Sequence, residues 1–181
     1  MRGLLVVAVL FTIWSQVAFA QNNWSALQNG SIVLLRHALA PGTGDPANFR
    51  LDDCSTQRNL SDEGRAQARR LGEQFQARNI NVTKVLTSQW CRTRETAQLA
   101  FPGLVQDEPA FNSFFSDRST EAEQTRAARQ ILSQRRGPGV LVVVTHQVNI
   151  TALTGVVPQS GEGVVVRMRG TEVEAVGRIR P

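Results

Sequence analysis

Two stretches of the sequence, IVLL (32–35) and VLVVVT (140–145), are apolar or nearly so and do not alternate. A strand with one wet face alternates apolar and polar residues. Runs without alternation are expected of strands covered on both faces, and such strands lie in sheets flanked by helices. Helical stretches occupy the chain between them. LSDEGRAQARRLGEQFQARNI (60–80) sets Ala68, Leu71 and Phe75 at helical spacing, with Ser61 as a cap and Asp62 and Glu63 at the positive end of the dipole. KVLTS (84–88) reads as a second short strand, QWCRTRETAQLAF (89–101) as a second helix stopped by Pro102, and GLVQD (103–107) as a third strand. TEAEQTRAARQILSQRR (120–136) is a third helix, with Thr120 and Glu123 spaced as a capping box and Gly137-Pro138-Gly139 at its end. A short helix follows His146 and ends near Gly155, and 163–179 reads as a hairpin around Gly170. Strands alternating with helices predict an α/β fold, a three-layer α/β/α sandwich with a largely parallel central sheet.

The first twenty residues do not fit that scheme. Arg2 precedes a stretch from Leu4 to Trp14 that is apolar except for Thr12, and Ala18-Phe19-Ala20 closes it with a small-x-small pattern. This is the plan of a secretory signal peptide (1–20), too short in its apolar part for a comfortable membrane span. Residues 21–181 then form a single domain, with no membrane span after cleavage and a periplasmic or secreted location. Export places Cys54 and Cys91, the only cysteines, in an oxidising compartment, where a disulfide between them is expected.

The formal net charge is +5, and Lys84 is the only lysine. Guanidinium binds phosphate or carboxylate with two parallel hydrogen bonds, so an arginine-rich chain suits anionic ligands. Nucleic acid is a poor match, because the arginines are scattered and no aromatic-basic platform accompanies them. The chain has two histidines, His37 and His146, each just past the end of a predicted strand. Ligands of parallel α/β sheets bind outside the carboxyl ends of the strands, so both imidazoles can reach one site. Arg36 precedes His37, and Arg92 lies in the first turn of the helix after Ser88. Arg36, His37, Arg92 and His146 on one rim make a pocket for a dianion, and phosphate fits best. No cysteine pair or acidic cluster accompanies the histidines, so neither a metal nor another cofactor is expected.

At these residues the sequence resembles the histidine phosphatase superfamily, the group of phosphoglycerate mutases and bacterial phosphohistidine phosphatases. LLRHA (34–38) is similar to the family's arginine-histidine-glycine motif, with Ala38 in place of glycine. LSDEGRAQA (60–68) is similar to its helix start, and TSQWCRTRETA (87–97) to its serine-x-x-x-arginine-threonine-x-x-threonine motif, which gives Ser88, Arg92, Thr93 and Thr96. VVVTHQVNITALTG (142–155) is similar to the second histidine motif, with Thr145 where glycine is commoner. The nearest likeness is to exported bacterial members, including lipopolysaccharide core heptose phosphatases.

The resemblance implies a phosphoglycerate mutase-like fold and a phosphomonoesterase that needs no metal. His37 would be the nucleophile, with Arg36, Arg92 and His146 holding the phosphoryl group. The substrate would be a small phosphate ester such as a phosphorylated sugar, with lipopolysaccharide core phosphate as one candidate. The family's usual glutamate acid is replaced by Ser113 in PAFNSFF (109–115), which leaves the proton donor open. Asp117 is the expected acid, being the nearest carboxyl in that loop, and Asp45, Asp52, Asp53 and Glu108 are alternatives. A non-catalytic phosphosugar- or lipopolysaccharide-phosphate-binding protein is the competing reading. A mutase would need a second phosphorylated ligand.

Overall fold

The computed structural model describes residues 22–181, so the expected signal peptide lies outside the described residues. The strands are β1 (Ile32–Arg36), β2 (Val82–Thr87), β3 (Val105–Asp107), β4 (Val140–Thr145), β5 (Gly163–Arg169) and β6 (Glu172–Ile179). The helices are α1 (Asp62–Ala77), α2 (Cys91–Ala100), α3 (Glu121–Ser133) and α4 (Gln147–Thr154).

The strands form one sheet in the order β3-β2-β4-β1-β5-β6. The non-alternating runs are its centre, and side chains from both of their faces are buried. Val33, Leu35, Val142 and Val144 pack with Leu71 and Phe75 of α1 and Ala97 and Ala100 of α2. Ile32, Leu34, Leu141 and Val143 pack on the other side with Ala128 and Leu132 of α3 and Ile150 and Leu153 of α4. Each such side chain contributes about 1.5–3 kcal/mol when fully buried, which is why the central strands admit no polar residue before their ends. Helices on both faces make the expected three layers.

The sheet is less parallel than expected. The pairs β3–β2, β2–β4 and β4–β1 are parallel, but β1–β5 and β5–β6 are antiparallel, so the sheet is mixed. The cause lies in α4. Its eight residues span about 12 Å, too little to carry the chain back along β4 for another parallel crossover. The chain re-enters at the carboxyl end of β1, where Gly163 pairs with Leu35.

The start of α3 also differs from expectation. Thr120 makes no side-chain cap, and its hydroxyl donates to Gln124 Oε1 at 2.7 Å. A 3-10 turn over Arg118–Thr120 precedes α3, and Asp117 caps that turn. The helical segment begins earlier than its periodicity indicates, so the cap moves upstream with it.

Candidate active site

Register brings the histidines together. Arg36 of β1 lies opposite Thr145 of β4, and Thr87 of β2 opposite Val144. The next residue on each strand, His37, His146 and Ser88, therefore leaves the sheet at one rim. Two backbone bonds continue the ladder there: the His37 N–H donates to the Thr145 carbonyl and the Ser88 N–H to the Val144 carbonyl, both at 3.0 Å. The imidazole centroids lie 5.6 Å apart, edge to face.

Each ring is held by one nitrogen. His37 Nδ1 lies 2.7 Å from the Ala38 carbonyl, which accepts only, so Nδ1 carries the proton and Nε2 keeps its lone pair. That carbonyl is itself steadied, because the Ala38 N–H donates to Thr96 Oγ1 at 3.0 Å and Thr96 donates to the Arg92 carbonyl at 2.7 Å. His146 Nε2 lies 2.9 Å from Ser88 Oγ, and its Nδ1 faces the Arg92 guanidinium at 3.5 Å. Burial pushes His37 down to about 3, with further lowering by the charges of Arg92, Arg58 and Arg36 outweighing its bond to Ala38. Burial and then Arg92 also hold His146 well below the usual imidazole range. Both rings are neutral at physiological pH, as a nitrogen nucleophile must be.

The family-like threonines are structural supports. Thr93 donates to the Ser88 carbonyl at 2.9 Å and so fixes the start of α2. Thr145 stands where glycine is commoner and donates to the Phe111 carbonyl at 2.7 Å. The Ala38 methyl packs with Ala40, Leu60 and Ala68, so the extra carbon has a place.

A cavity of about 140 Å³ opens beside the histidines, lined among others by Arg36, Asp45, Arg58, Arg92, Ser113 and Phe115. Arg36 donates through Nη1 to the Pro158 carbonyl at 3.0 Å, and its buried Nε has no partner among the described residues. Arg92 is almost wholly buried and meets Asp45 as a fork, Nη1 to Oδ1 at 2.6 Å and Nη2 to Oδ2 at 3.1 Å. Arg58 was not among the sequence candidates. It comes from the loop before Ser61, where its Nε donates to the Gly44 carbonyl at 2.8 Å and Nη1 to the Ala40 carbonyl. The one signal for it in the sequence is its place three residues ahead of the α1 cap, at the end of a loop that leaves β1 on the same rim. A larger groove of about 830 Å³ between α3 and α4 contains neither histidine.

The loop over the site is pinned to the start of α2. Cys54 and Cys91 form the expected disulfide, with Cα atoms 5.7 Å apart. Gln57 Oε1 accepts from the Cys91 N–H at 2.9 Å, and Phe49 stacks on Trp90 at 5.1 Å. The Trp90 indole N–H donates to Asp45 Oδ2 at 2.9 Å.

The candidate acids separate. Asp117 does not line the cavity: it is exposed and accepts from the Ser119 N–H at 2.9 Å as a cap. Ser113 and Phe115 reach the site, and the chain has turned away by 117. Glu108 caps the 3-10 turn Pro109–Phe111, Asp53 caps Cys54–Thr56 and pairs with Arg50, and Asp52 is exposed. Asp45 alone among these carboxyls lines the cavity.

Residues 32–112 match the family model described as the histidine phosphatase superfamily (branch 1). The matched segment takes in Arg36, His37, Arg58 and Arg92 and stops before His146. No curated protein matches the sequence. Solved structures carry the likeness past the matched segment. The protein histidine phosphatase SixA complexed with tungstate is 15% identical, covers 83% of this chain and 97% of its own, and superposes with a TM-score of 0.54. A phosphoserine phosphatase from Entamoeba histolytica in complex with 3-phosphoglyceric acid is 14% identical over 83% and 97% of the two chains, with a TM-score of 0.59. YhfR of Bacillus stearothermophilus is 14% identical over 81% and 95%, with a TM-score of 0.60. The fold is thus the phosphoglycerate mutase-like histidine phosphatase fold, as the sequence motifs imply.

Proposed function

We propose that this protein is a phosphomonoesterase that works through a phosphohistidine on His37. The observation that carries the reading is one ring: His37 is buried and neutral, its Nδ1–H is fixed by the Ala38 carbonyl, and its free Nε2 shares a cavity with Arg36, Arg58 and Arg92. In that role Nε2 attacks phosphorus, the guanidinium groups hold the non-bridging oxygens, and water then releases phosphate from the imidazole. His146 lines the same cavity, and its Nε2 contact with Ser88 sets the angle of the ring. No group of three or more metal-ligating side chains occurs among the described residues, and the cationic side chains can take the part a metal would play. The phosphatases among the structural relatives support the same reaction class.

Export to the periplasm and action on a phosphorylated sugar, with lipopolysaccharide core phosphate as one candidate, belong to this proposal. Export rests on the first twenty residues and on the disulfide, and the sugar phosphate on the resemblance of the motifs to exported heptose phosphatases. No helix among the described residues is long and apolar enough to cross a membrane.

The test is hydrolysis of p-nitrophenyl phosphate by the purified chain with chelator present, together with mass spectrometry of acid-labile phosphate on the peptide holding His37. Turnover that survives chelator and disappears in His37→Ala is the expected result. A His37→Ala variant that turns over at the wild-type rate refutes the covalent mechanism. Phosphate binding without turnover in the wild type would favour the non-catalytic reading, for which Ser113 at the usual acid position is the supporting observation.

A further inference from the structure

We propose that Asp45 is the proton donor of this site, held on Arg92 until the substrate's phosphoryl group takes its place. The inference rests on the phosphatase reading above and adds an acid that the motifs do not supply.

A guanidinium fork is the group that binds a phosphoryl group through two oxygens, and here both of its arms are taken by the Asp45 carboxylate. The two anions require the same pair of N–H donors, so they exclude each other. A carboxylate here is no accident of a loose loop. Gly42 and Gly44 both adopt positive φ, 92° and 70°, and turn the chain so that Asp45 faces inward. The disulfide, Gln57 and the Phe49–Trp90 stack fix the loop from the other side.

Displacement need not carry Asp45 out of the site. The Trp90 indole N–H holds Oδ2 independently of Arg92, and the Arg58 backbone N–H approaches Oδ1 at 3.4 Å. A carboxyl swung off the fork remains beside whatever lies on it. The groups facing it are Arg92 and Trp90 from the start of α2, Arg58 from the loop before α1, Arg36 and His37 from the end of β1, and His146 from the start of α4. At rest, burial pushes the carboxyl up, but the bonds and charge of Arg92, with Trp90 and the Arg58 N–H, hold it below the usual carboxylate range. A phosphoryl anion on Arg92 removes that partner and adds a negative neighbour, and both changes favour the protonated acid.

The proton balance closes. The ester arrives as its monoanion, and its P–OH proton passes to the Asp45 carboxylate as the phosphoryl group takes Arg92. His37 Nε2 donates its lone pair to phosphorus, the P–O bond to the leaving group breaks, and its electron pair takes the proton from Asp45, giving an alcohol. Asp45, now a carboxylate, accepts a proton from the attacking water as the P–N bond breaks and its pair returns to Nε2. Asp45 gives that proton to the departing phosphate and closes again on Arg92. One ester monoanion and one water yield one alcohol and one dihydrogen phosphate.

Asp45→Asn keeps the shape of the side chain and removes the proton and the charge. Two measurements on it decide the matter. With glycerol phosphate and p-nitrophenyl phosphate as substrates, the loss of kcat/KM on the alkyl ester should exceed the loss on the aryl ester by roughly 10²-fold, because only the alkoxide needs an acid. Inorganic phosphate, titrated by calorimetry, should bind at least about threefold tighter, because the competing anion is gone. Asp45→Glu should recover part of the alkyl-ester rate. Equal losses on the two esters with weaker phosphate binding would make Asp45 a clamp that orients Arg92 and overturn the proposal. An undiminished alkyl-ester rate would overturn it too. A wild-type protein that hydrolyses neither ester sinks the phosphatase reading and the donor role together, while the phosphate titration still decides the displacement.

Discussion

His37 should make the protein sensitive to mild acid. An unfolded chain binds a proton on this imidazole as pH falls through its ordinary value of 6.5, whereas the folded protein resists until about 3. Between those values the unfolded state holds the extra proton, so stability falls as pH falls and is restored as pH rises. At pH 5 the gap is 1.5 units, which at 1.36 kcal/mol per unit costs on the order of 2 kcal/mol, and the loss levels off below pH 3. Above pH 6.5 the ring is neutral in both states and contributes no pH dependence. His37→Asn isolates the effect, because its amide can donate to the Ala38 carbonyl from the position of Nδ1 and does not titrate. Urea unfolding of both proteins, with the disulfide intact, should be followed from pH 7.5 to pH 5. The wild type should lose about 2 kcal/mol more than the variant over that interval. Other groups titrate in both proteins and cancel in the difference. Parallel stability curves would mean that His37 ionises as readily in the folded protein as in the open chain. The neutral, buried nucleophile would then be wrong.

Three further outcomes follow from the packing around the site. Opening the Cys54–Cys91 bridge with Cys54→Ser and Cys91→Ser frees a loop of 37 residues and should lower stability by about 4 kcal/mol in the chain-entropy model. Thermal melts of both forms under non-reducing conditions check it. Gly64→Ala should be poorly tolerated, because its Cβ would lie 2.0 Å from the Leu39 carbonyl oxygen. The segment carrying His37 must shift away from α1, so turnover should fall along with the melting temperature. Asp117→Asn should change hydrolysis of alkyl and aryl phosphates by less than about twofold, since asparagine also caps well. A loss near 10²-fold on the alkyl ester alone would return the acid role to Asp117.

Local signals were enough for the frame. Unbroken apolar runs identify β1 and β4 because a doubly covered strand has no wet face to encode. The periodicity of Ala68, Leu71 and Phe75 identifies α1 because a helix buries one stripe. Arg36, His37, Arg92 and His146 were legible for a related reason: each lies at or just past a strand end, and parallel strands in register bring their ends to one rim. Cysteine count and the signal-like first twenty residues were enough to expect the bridge. The antiparallel half of the sheet was only partly legible. The hairpin shows in its turn around Gly170, but the short reach of α4 decides where β5 joins the sheet.

The loops were decided by tertiary structure. Arg58 and Asp45 look in the sequence like any charges in a polar stretch, and Asp117 looks better placed than either. Their positions depend on the path of the loop after β1, which is set by the Cys54–Cys91 bridge, the Phe49–Trp90 stack and the Gln57 contact with Cys91. Those contacts join residues about 35 to 45 positions apart, and no local period encodes them. Short-range periodicity can place a strand end, but only contacts between distant residues can place a loop carboxylate on the guanidinium it meets.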